Sequence, residues 1–99
     1  MKNICIQGLG FVGSAMSVAV ASQINKNNEP IFNVVGIDRS TNQGIDRIDK
    51  INSGLFPFQT NDESLNVELK KAVKRGNILA TNDISCFSKA EIVLVSINC

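Results

Sequence analysis

No histidine occurs among the 99 residues of the chain, and tryptophan and tyrosine are absent as well. Without histidine, a Cys–His or Ser–His pair for nucleophilic catalysis cannot be built within the chain. The three cysteines, Cys5, Cys86 and Cys99, form no CxxC pair. Because zinc sites usually draw on clustered cysteine and histidine, we predict no metal site. Scattered cysteines in odd number are typical of a reducing compartment, so we expect a cytoplasmic protein.

Strong charge and long apolar runs are missing too. The formal net charge of +1 is too small to hold nucleic acid or a membrane surface, so neither is an expected partner. No apolar run approaches the roughly 20 residues of a membrane span, and the segment around Lys2 has no signal-peptide pattern. With 43% hydrophobic and 19% charged residues, the composition is typical of one small folded domain or of part of a larger one.

Glycine, in contrast, is concentrated near the start of the chain. Gly8, Gly10 and Gly13 lie in the stretch "IQGLGFVGSAM" with the spacing Gly-x-Gly-x-x-Gly. Between a strand and a helix, this spacing predicts a dinucleotide site: Gly8 allows a tight turn, Gly10 admits a pyrophosphate close to the backbone, and Gly13 lets the helix pack tightly on the sheet. The unpaired N–H groups of the helix N-terminus favour a phosphate. Purely structural glycines are the alternative.

Apolar patterns of strand and helix type alternate along the chain. Strands are predicted at 3–7, 31–38, 77–81 and 91–97, and the near-continuous apolar segments 31–38 and 91–97 are expected to be buried on both faces. Helices are predicted at 12–24, around Ile45, Ile48 and Ile51, and over Leu65, Leu69, Ala72 and Val73, with a turn at 40–44 and a turn or short helix at 83–90. This order predicts an α/β fold: a Rossmann-like, doubly wound parallel sheet of about four strands with helices on both faces, the first half of a dinucleotide-binding domain.

The second predicted strand ends in an acid, Asp38, which lies 25 residues after Gly13 (38 − 13), where the usual gap is about 20. The polar loop at 25–30 accounts for the difference. A carboxylate here accepts hydrogen bonds from the adenosine ribose and repels a 2′-phosphate, so NAD is favoured over NADP. Asp38 could instead only begin the following turn. Arg39 could lie over the adenine, pair with a phosphate and so tolerate NADP, or be solvated.

Five segments resemble a known family, in its order and over nearly the whole chain. "GLGFVG" (8–13) is similar to the GLGYVG opening of nucleotide-sugar dehydrogenases, the UDP-glucose/GDP-mannose dehydrogenase family. "VVGID" (34–38) looks like its second strand, and "AEIVLVSI" (90–97) resembles its fourth. "RIDKINSGLFPF" (47–58) resembles its Asn-x-Gly segment before a Pro-aromatic pair, and "GNILATND" (76–83) its Gly-x-Leu-x-Ala-Thr-x-Asp segment.

The resemblance implies an enzyme that oxidises the C6 hydroxyl of a UDP- or GDP-sugar to a carboxylate, with two NAD and through a cysteine thioester. It also implies a cofactor contact for Arg47, for which an exposed helix residue is the alternative. The predicted cofactor-binding residues are then Gly8, Gly10, Phe11, Val12, Gly13, Asp38, Arg39 and Arg47.

None of the three cysteines matches the motif of the family's catalytic cysteine. We therefore expect residues 1–99 to be the N-terminal part of an NAD-binding domain, with the catalytic and substrate domains outside this chain and no turnover by the chain alone. The expected partners are NAD and, in the full-length enzyme, a nucleotide sugar, while a homo-oligomer is left open. The alternatives are another Rossmann dehydrogenase of the β-hydroxyacid type and a non-catalytic nucleotide-binding module.

Overall fold

Four parallel strands form the centre of the fold in the computed structural model, which describes residues 1–96. They are β1 (Lys2–Gln7), β2 (Phe32–Ile37), β3 (Ile78–Thr81) and β4 (Ile92–Val95). Their order in the sheet is β3-β2-β1-β4, and every neighbouring pair is parallel. The chain thus moves outward from β1 to β3 and then returns to the other side of β1. This confirms the predicted Rossmann-like α/β sheet.

Three α-helices and one 3₁₀ helix connect the strands: α1 (Phe11–Ala21), α2 (Asn42–Asn52), α3 (Glu63–Arg75) and the 3₁₀ helix Ile84–Lys89. Helix α1 ends before the predicted residue 24 because Ile24 pairs with Pro30 in an antiparallel bridge. Helix α2 begins inside the segment predicted as a turn, since the Thr41 side chain accepts a hydrogen bond from the Gly44 amide and caps the helix. Nowhere in residues 1–96 is a helix long and apolar enough to cross a membrane.

One face of the sheet carries the core. The register aligns Ile4 with Val34 and Val34 with Ile78, so these side chains share a face. They pack in one buried cluster with residues of all three α-helices: Val18 and Ala21 of α1, Ile48 and Ile51 of α2, and Leu69 and Ala72 of α3. Within residues 1–96, only the 3₁₀ helix covers the opposite face, beside Cys5 and Val35. The three α-helices therefore lie on one face of the sheet, and the short helix predicted within 83–90 lies on the other as a 3₁₀ helix.

Strand β4 also differs from its prediction as a strand buried on both faces. The exposed fractions of Ile92, Val93 and Val95 are 45, 43 and 62%. The cause is position rather than composition, because within the described residues β4 pairs with β1 on one side only and is an edge strand. An apolar run shows that a strand tolerates burial on both faces. Whether the strand is buried also depends on the strands and helices that pack against it.

A buried asparagine joins three element ends. The side chain of Asn77, which lies between α3 and β3, donates hydrogen bonds to the carbonyl oxygens of Ala21 (2.8 Å) and Phe32 (3.0 Å). Its own Oδ1 accepts from Nε of Arg75 at 3.3 Å, and the same guanidinium donates to the Ala21 oxygen at 3.1 Å. The end of α1, the start of β2 and the end of α3 are thereby held together.

Replacement of Asn77 by alanine is expected to lower the free energy of unfolding by about 2–3 kcal/mol, because the Phe32 carbonyl loses this partner inside the fold. Urea unfolding of the variant measures the loss. Asn61→Ala is the matched control: Asn61 is exposed, so its replacement should stay within about 0.5 kcal/mol of the wild type. Similar losses for the two variants would contradict the bridging role of Asn77.

Candidate cofactor site

The carboxyl ends of the four strands border one cleft with a volume of about 1040 Å³. It is lined by residues 7–10, 37–43, Arg47, Asn82, Ile84, Phe87, Val95 and Ser96. The order of the strands reverses beside β1, because β2 lies on one side of it and β4 on the other. In open parallel sheets, ligands bind outside the carboxyl ends of the strands at such a reversal. The cleft is thus where the fold itself favours a ligand.

The turn from β1 into α1 depends on two of the three glycines. Gly8 has φ +95°, a left-handed conformation that side chains rarely adopt, and a Cβ there would lie 2.8 Å from the Ser96 carbonyl oxygen. A Cβ on Gly13 would collide with the carbonyl oxygen of Gly8. Gly13 therefore lets helix α1 approach the backbone of the turn at Gly8, whereas the sequence predicted a close approach of this helix to the sheet.

The N-terminus of α1 opens at this turn. Gly10 is the N-cap residue of α1, and no side-chain cap among residues 1–96 accepts a hydrogen bond from the free amides of the first turn. The first turn of α1 also carries no acidic residue in the described chain. Unpaired N–H groups and the positive end of the helix dipole together favour an anion such as a pyrophosphate. The Ser14 hydroxyl donates to the Leu9 carbonyl at 2.9 Å and fixes the preceding loop.

The Asp38 carboxylate is attached to the glycine turn. Its Oδ2 accepts a hydrogen bond from the Leu9 amide at 3.1 Å, and its Oδ1 accepts from the Arg39 amide at 2.7 Å. Each carboxylate oxygen has a further lone pair, which leaves acceptor capacity for two hydroxyl groups. The carboxylate therefore helps to form the turn that follows β2, and it keeps free acceptor positions toward the cleft.

Arg47 reaches Asp38 from helix α2. Its Nη1 lies 3.5 Å from Oδ2 of Asp38, and the side chains of Arg47 and Asp38 are 23 and 11% exposed. The guanidinium carbon lies 5.2 Å from the ring centre of Phe58, which is the geometry of a cation–π contact. Arg47 is thus a half-buried side chain of the cleft, unlike the solvated helix residue that was its alternative.

The structure separates the other predicted residues. Arg39 is exposed and lines the cleft next to Asp38. Phe11 packs its ring against Phe56 and Phe58, with ring centres 5.5 and 5.8 Å apart, and does not line the cleft. Val12 is exposed on α1 and does not line it either. The cofactor contacts predicted for Phe11 and Val12 stay predictions.

Some residues in the cleft lining or behind it had no sequence signal of their own. The Leu9 amide holds Asp38 through a hydrogen bond, and the Phe58 ring holds Arg47 through a cation–π contact. In the sequence, Phe58 was marked only as part of a Pro-aromatic pair. The Asn82 amide donates to the Ser40 hydroxyl at 3.1 Å and joins the loops that follow β3 and β2. These contacts are made between distant segments, and spacing along the chain does not reveal them.

The described cysteines lie elsewhere. Cys5 and Cys86 border a separate cavity of about 230 Å³ under the 3₁₀ helix. Burial, and secondarily the neighbouring Cys86, raises the pKa of the Cys5 thiol, so this thiol is a weak nucleophile at neutral pH. Cys99 lies outside the described residues. Across residues 1–96, no three side chains of metal-ligating type come together.

Comparison with known proteins gives a family and a set of similar folds. Residues 2–99 match the model of the UDP-glucose/GDP-mannose dehydrogenase family, NAD binding domain. No curated protein sequence matches the chain significantly. Among solved structures, an NDP-N-acetyl-D-galactosaminuronic acid dehydrogenase from Methanosarcina mazei Go1 is 26% identical with a TM-score of 0.84, over 99% of this chain and 20% of that one.

Two further solved structures show the same fold at lower identity. A GDP-mannose dehydrogenase from Pseudomonas aeruginosa is 23% identical with a TM-score of 0.77, over 96% of this chain and 19% of that one. A UDP-glucose dehydrogenase from Pyrobaculum islandicum is 17% identical with a TM-score of 0.71, over 98% and 20%. The chain spans about a fifth of the length of each of these three relatives.

Gly13→Ala is expected to abolish the rise in unfolding temperature that NAD produces, because the added Cβ must displace the turn at Gly8. Gly76→Ala is the control: Gly76 has φ +83° but no atom within 4 Å of its Cβ position. It should cost about 1–2 kcal/mol of backbone strain and leave the response to NAD intact. Thermal unfolding with and without NAD measures both effects. A normal NAD response in Gly13→Ala would contradict the steric role.

Proposed function

Because the chain belongs to the UDP-glucose/GDP-mannose dehydrogenase family, whose NAD-binding domain it matches over residues 2–99, we propose that it is the cofactor-binding part of a nucleotide-sugar 6-dehydrogenase. Such an enzyme oxidises the C6 hydroxyl of a UDP- or GDP-sugar to a carboxylate, and NAD accepts the hydride. The observation that carries the proposal is the hydrogen bond from the Leu9 amide to Asp38, which sets the glycine turn and the acid side by side in one cleft.

The division of labour in the cleft follows from the charges and donors of its parts. The glycine turn and the N-terminus of α1 would hold the pyrophosphate, since they combine unpaired amides with a partial positive charge. The two unused lone pairs of Asp38 would accept the hydroxyls of the adenosine ribose. Arg47 would complete this end of the cleft from the α2 side, and the exposed Arg39 would lie at the adenine.

The cofactor preference follows from the same carboxylate. A 2′-phosphate on the ribose would stand next to the Asp38 charge and be repelled, so NAD is favoured over NADP. The described cysteines, Cys5 and Cys86, are free thiols, which supports the proposal that the protein works in a reducing compartment such as the cytoplasm. The proposed substrate is a UDP- or GDP-sugar without further distinction, because no residue of the cleft is assigned to the recognition of the sugar.

Thermal unfolding of the chain with increasing NAD, ADP-ribose or NADP tests the cofactor site. Ligands that bind the native state stabilise it by RT ln(1 + [L]/Kd), about 2.7 kcal/mol at a hundredfold excess over Kd. NAD and ADP-ribose should raise the unfolding temperature, and NADP should raise it much less. Absence of any rise would contradict the cofactor site. An equal rise with NADP would contradict the role of Asp38 in selectivity.

The oxidation itself is tested with the full-length gene product, by counting the NADH formed from UDP-glucose, GDP-mannose and other nucleotide sugars. Oxidation of a C6 alcohol to a carboxylate removes two hydrides, so two NADH per sugar are expected with one of these substrates. One NADH per sugar would mean that the product is an aldehyde or a ketone, and would refute the proposed reaction.

A further inference from the structure

Basic side chains outnumber acidic ones in the described lining of the cleft. Of the residues among 1–96 that line the cleft, Asp38 is the one acid, while Arg39 and Arg47 are both basic. The other ion pairs found within residues 1–96, Lys50–Asp46 and Lys71–Glu68, involve no residue of the cleft lining. The Asp38 carboxylate pairs with the Arg47 guanidinium, and the exposed Arg39 lines the same cleft, so removal of the carboxylate would leave an anion-attracting site.

Phe58 holds Arg47 in place independently of Asp38. The guanidinium lies 5.2 Å from the Phe58 ring centre, and this ring is packed in turn against Phe11 and Phe56, with centres 5.8 and 6.2 Å apart. A planar guanidinium stacks well on such a face while its N–H donors stay available at the rim. Loss of the Asp38 charge would therefore leave Arg47 beside the ribose position.

Arg47 also has donors to spare. Its contact with Asp38, at 3.5 Å, is an ion pair, and among residues 1–96 no acceptor makes a side-chain hydrogen bond with its guanidinium. A guanidinium carries five N–H donors in a fork that matches the oxygens of a phosphate. A phosphate attached to a ribose hydroxyl at Asp38 would thus lie within reach of donors that are already in position.

We propose that Phe58 is a positioning residue for Arg47, and that Arg47, stacked on the Phe58 ring, forms a binding site for a 2′-phosphate. In the wild-type chain only the negative charge of Asp38 prevents a 2′-phosphate from binding there. The proposal rests on the proposed function, since it concerns the ribose end of the same cofactor cleft. The choice between NAD and NADP then depends on the charge of Asp38, because the donors that would bind the 2′-phosphate of NADP are already in position on Arg47.

The first test removes the charge and keeps the shape. Asp38→Asn retains one oxygen that can accept from the Leu9 amide, so the glycine turn keeps a partner. Calorimetric titration gives the Kd values for NAD and NADP, and for the probes AMP and adenosine 2′,5′-bisphosphate. The Asn variant should shift the ratio of Kd values towards NADP by about tenfold or more, as expected for a charge-assisted phosphate contact.

The second test removes the acceptor in the same background. Asp38→Asn combined with Arg47→Met should lose most of the gain for NADP relative to NAD, and for adenosine 2′,5′-bisphosphate relative to AMP, with both ligands of each pair titrated on the same variant. Retention of the gain without Arg47 would overturn the proposal, because another group, such as Arg39, would then hold the phosphate. Absence of any gain in Asp38→Asn that still binds NAD would overturn it as well.

The third test separates positioning from packing at Phe58. In the Asp38→Asn background, Phe58→Tyr keeps the ring face and should keep the gain for NADP, whereas Phe58→Leu should lose it. A purely structural role would weaken NAD and NADP together and leave their ratio unchanged, so an equal ratio in the Leu and Tyr variants would overturn the role of Phe58.

Failure of the proposed function gives a different pattern. A wild-type chain that binds neither NAD nor ADP-ribose would refute the cofactor site, and this proposal with it. A wild-type chain that binds NAD, with an Asp38→Asn variant that gains nothing for NADP, would refute this proposal alone.

Discussion

The hydrogen bond from the Leu9 amide to Oδ2 of Asp38, 3.1 Å long, joins two segments that are 29 residues apart. One segment is the turn that leaves β1, and the other is the end of β2. The turn and the carboxylate both lie in loops beyond the ends of their strands, and each has further local contacts, the Ser14 hydroxyl for the turn and Arg47 for the carboxylate. The sheet brings the two loops to one edge, and this bond joins them across the cleft with the donor–acceptor distance of an ordinary hydrogen bond.

The turn imposes a second constraint, which is steric. Helix α1 approaches so closely that the carbonyl of Gly8 occupies the place of a Gly13 side chain, and the Ser96 carbonyl restricts Gly8 from the other side. Three elements, β1, α1 and β4, therefore meet at backbone contact distance. Side chains are excluded from this point, and what is presented to a ligand is a set of amides with a helix dipole behind them.

The local parts of this arrangement could be predicted from the sequence, and the assembled parts could not. Gly8 and Asp38 are marked by spacing and by their place at strand ends, because the chemistry of a tight turn and of a ribose contact limits the residue types there. Phe58 meets Arg47 only after α2 and the following loop have folded. The exposure of Ile92 and Val95 depends on which strands are neighbours, and no pattern within β4 contains that information.

The β1–β4 pairing is made between residues at opposite ends of the described chain. The Asn3 amide donates to the Glu91 carboxylate across 88 residues, the Glu91 amide donates back to the Asn3 carbonyl at 2.8 Å, and Ser96 then bonds to Gln7 beside the turn. Loop closure over this length is slow compared with the helices and with local contacts. Within the described residues, the glycine turn precedes by more than eighty positions the segment that completes its geometry, so the nucleotide cleft is finished only when β4 has paired with β1.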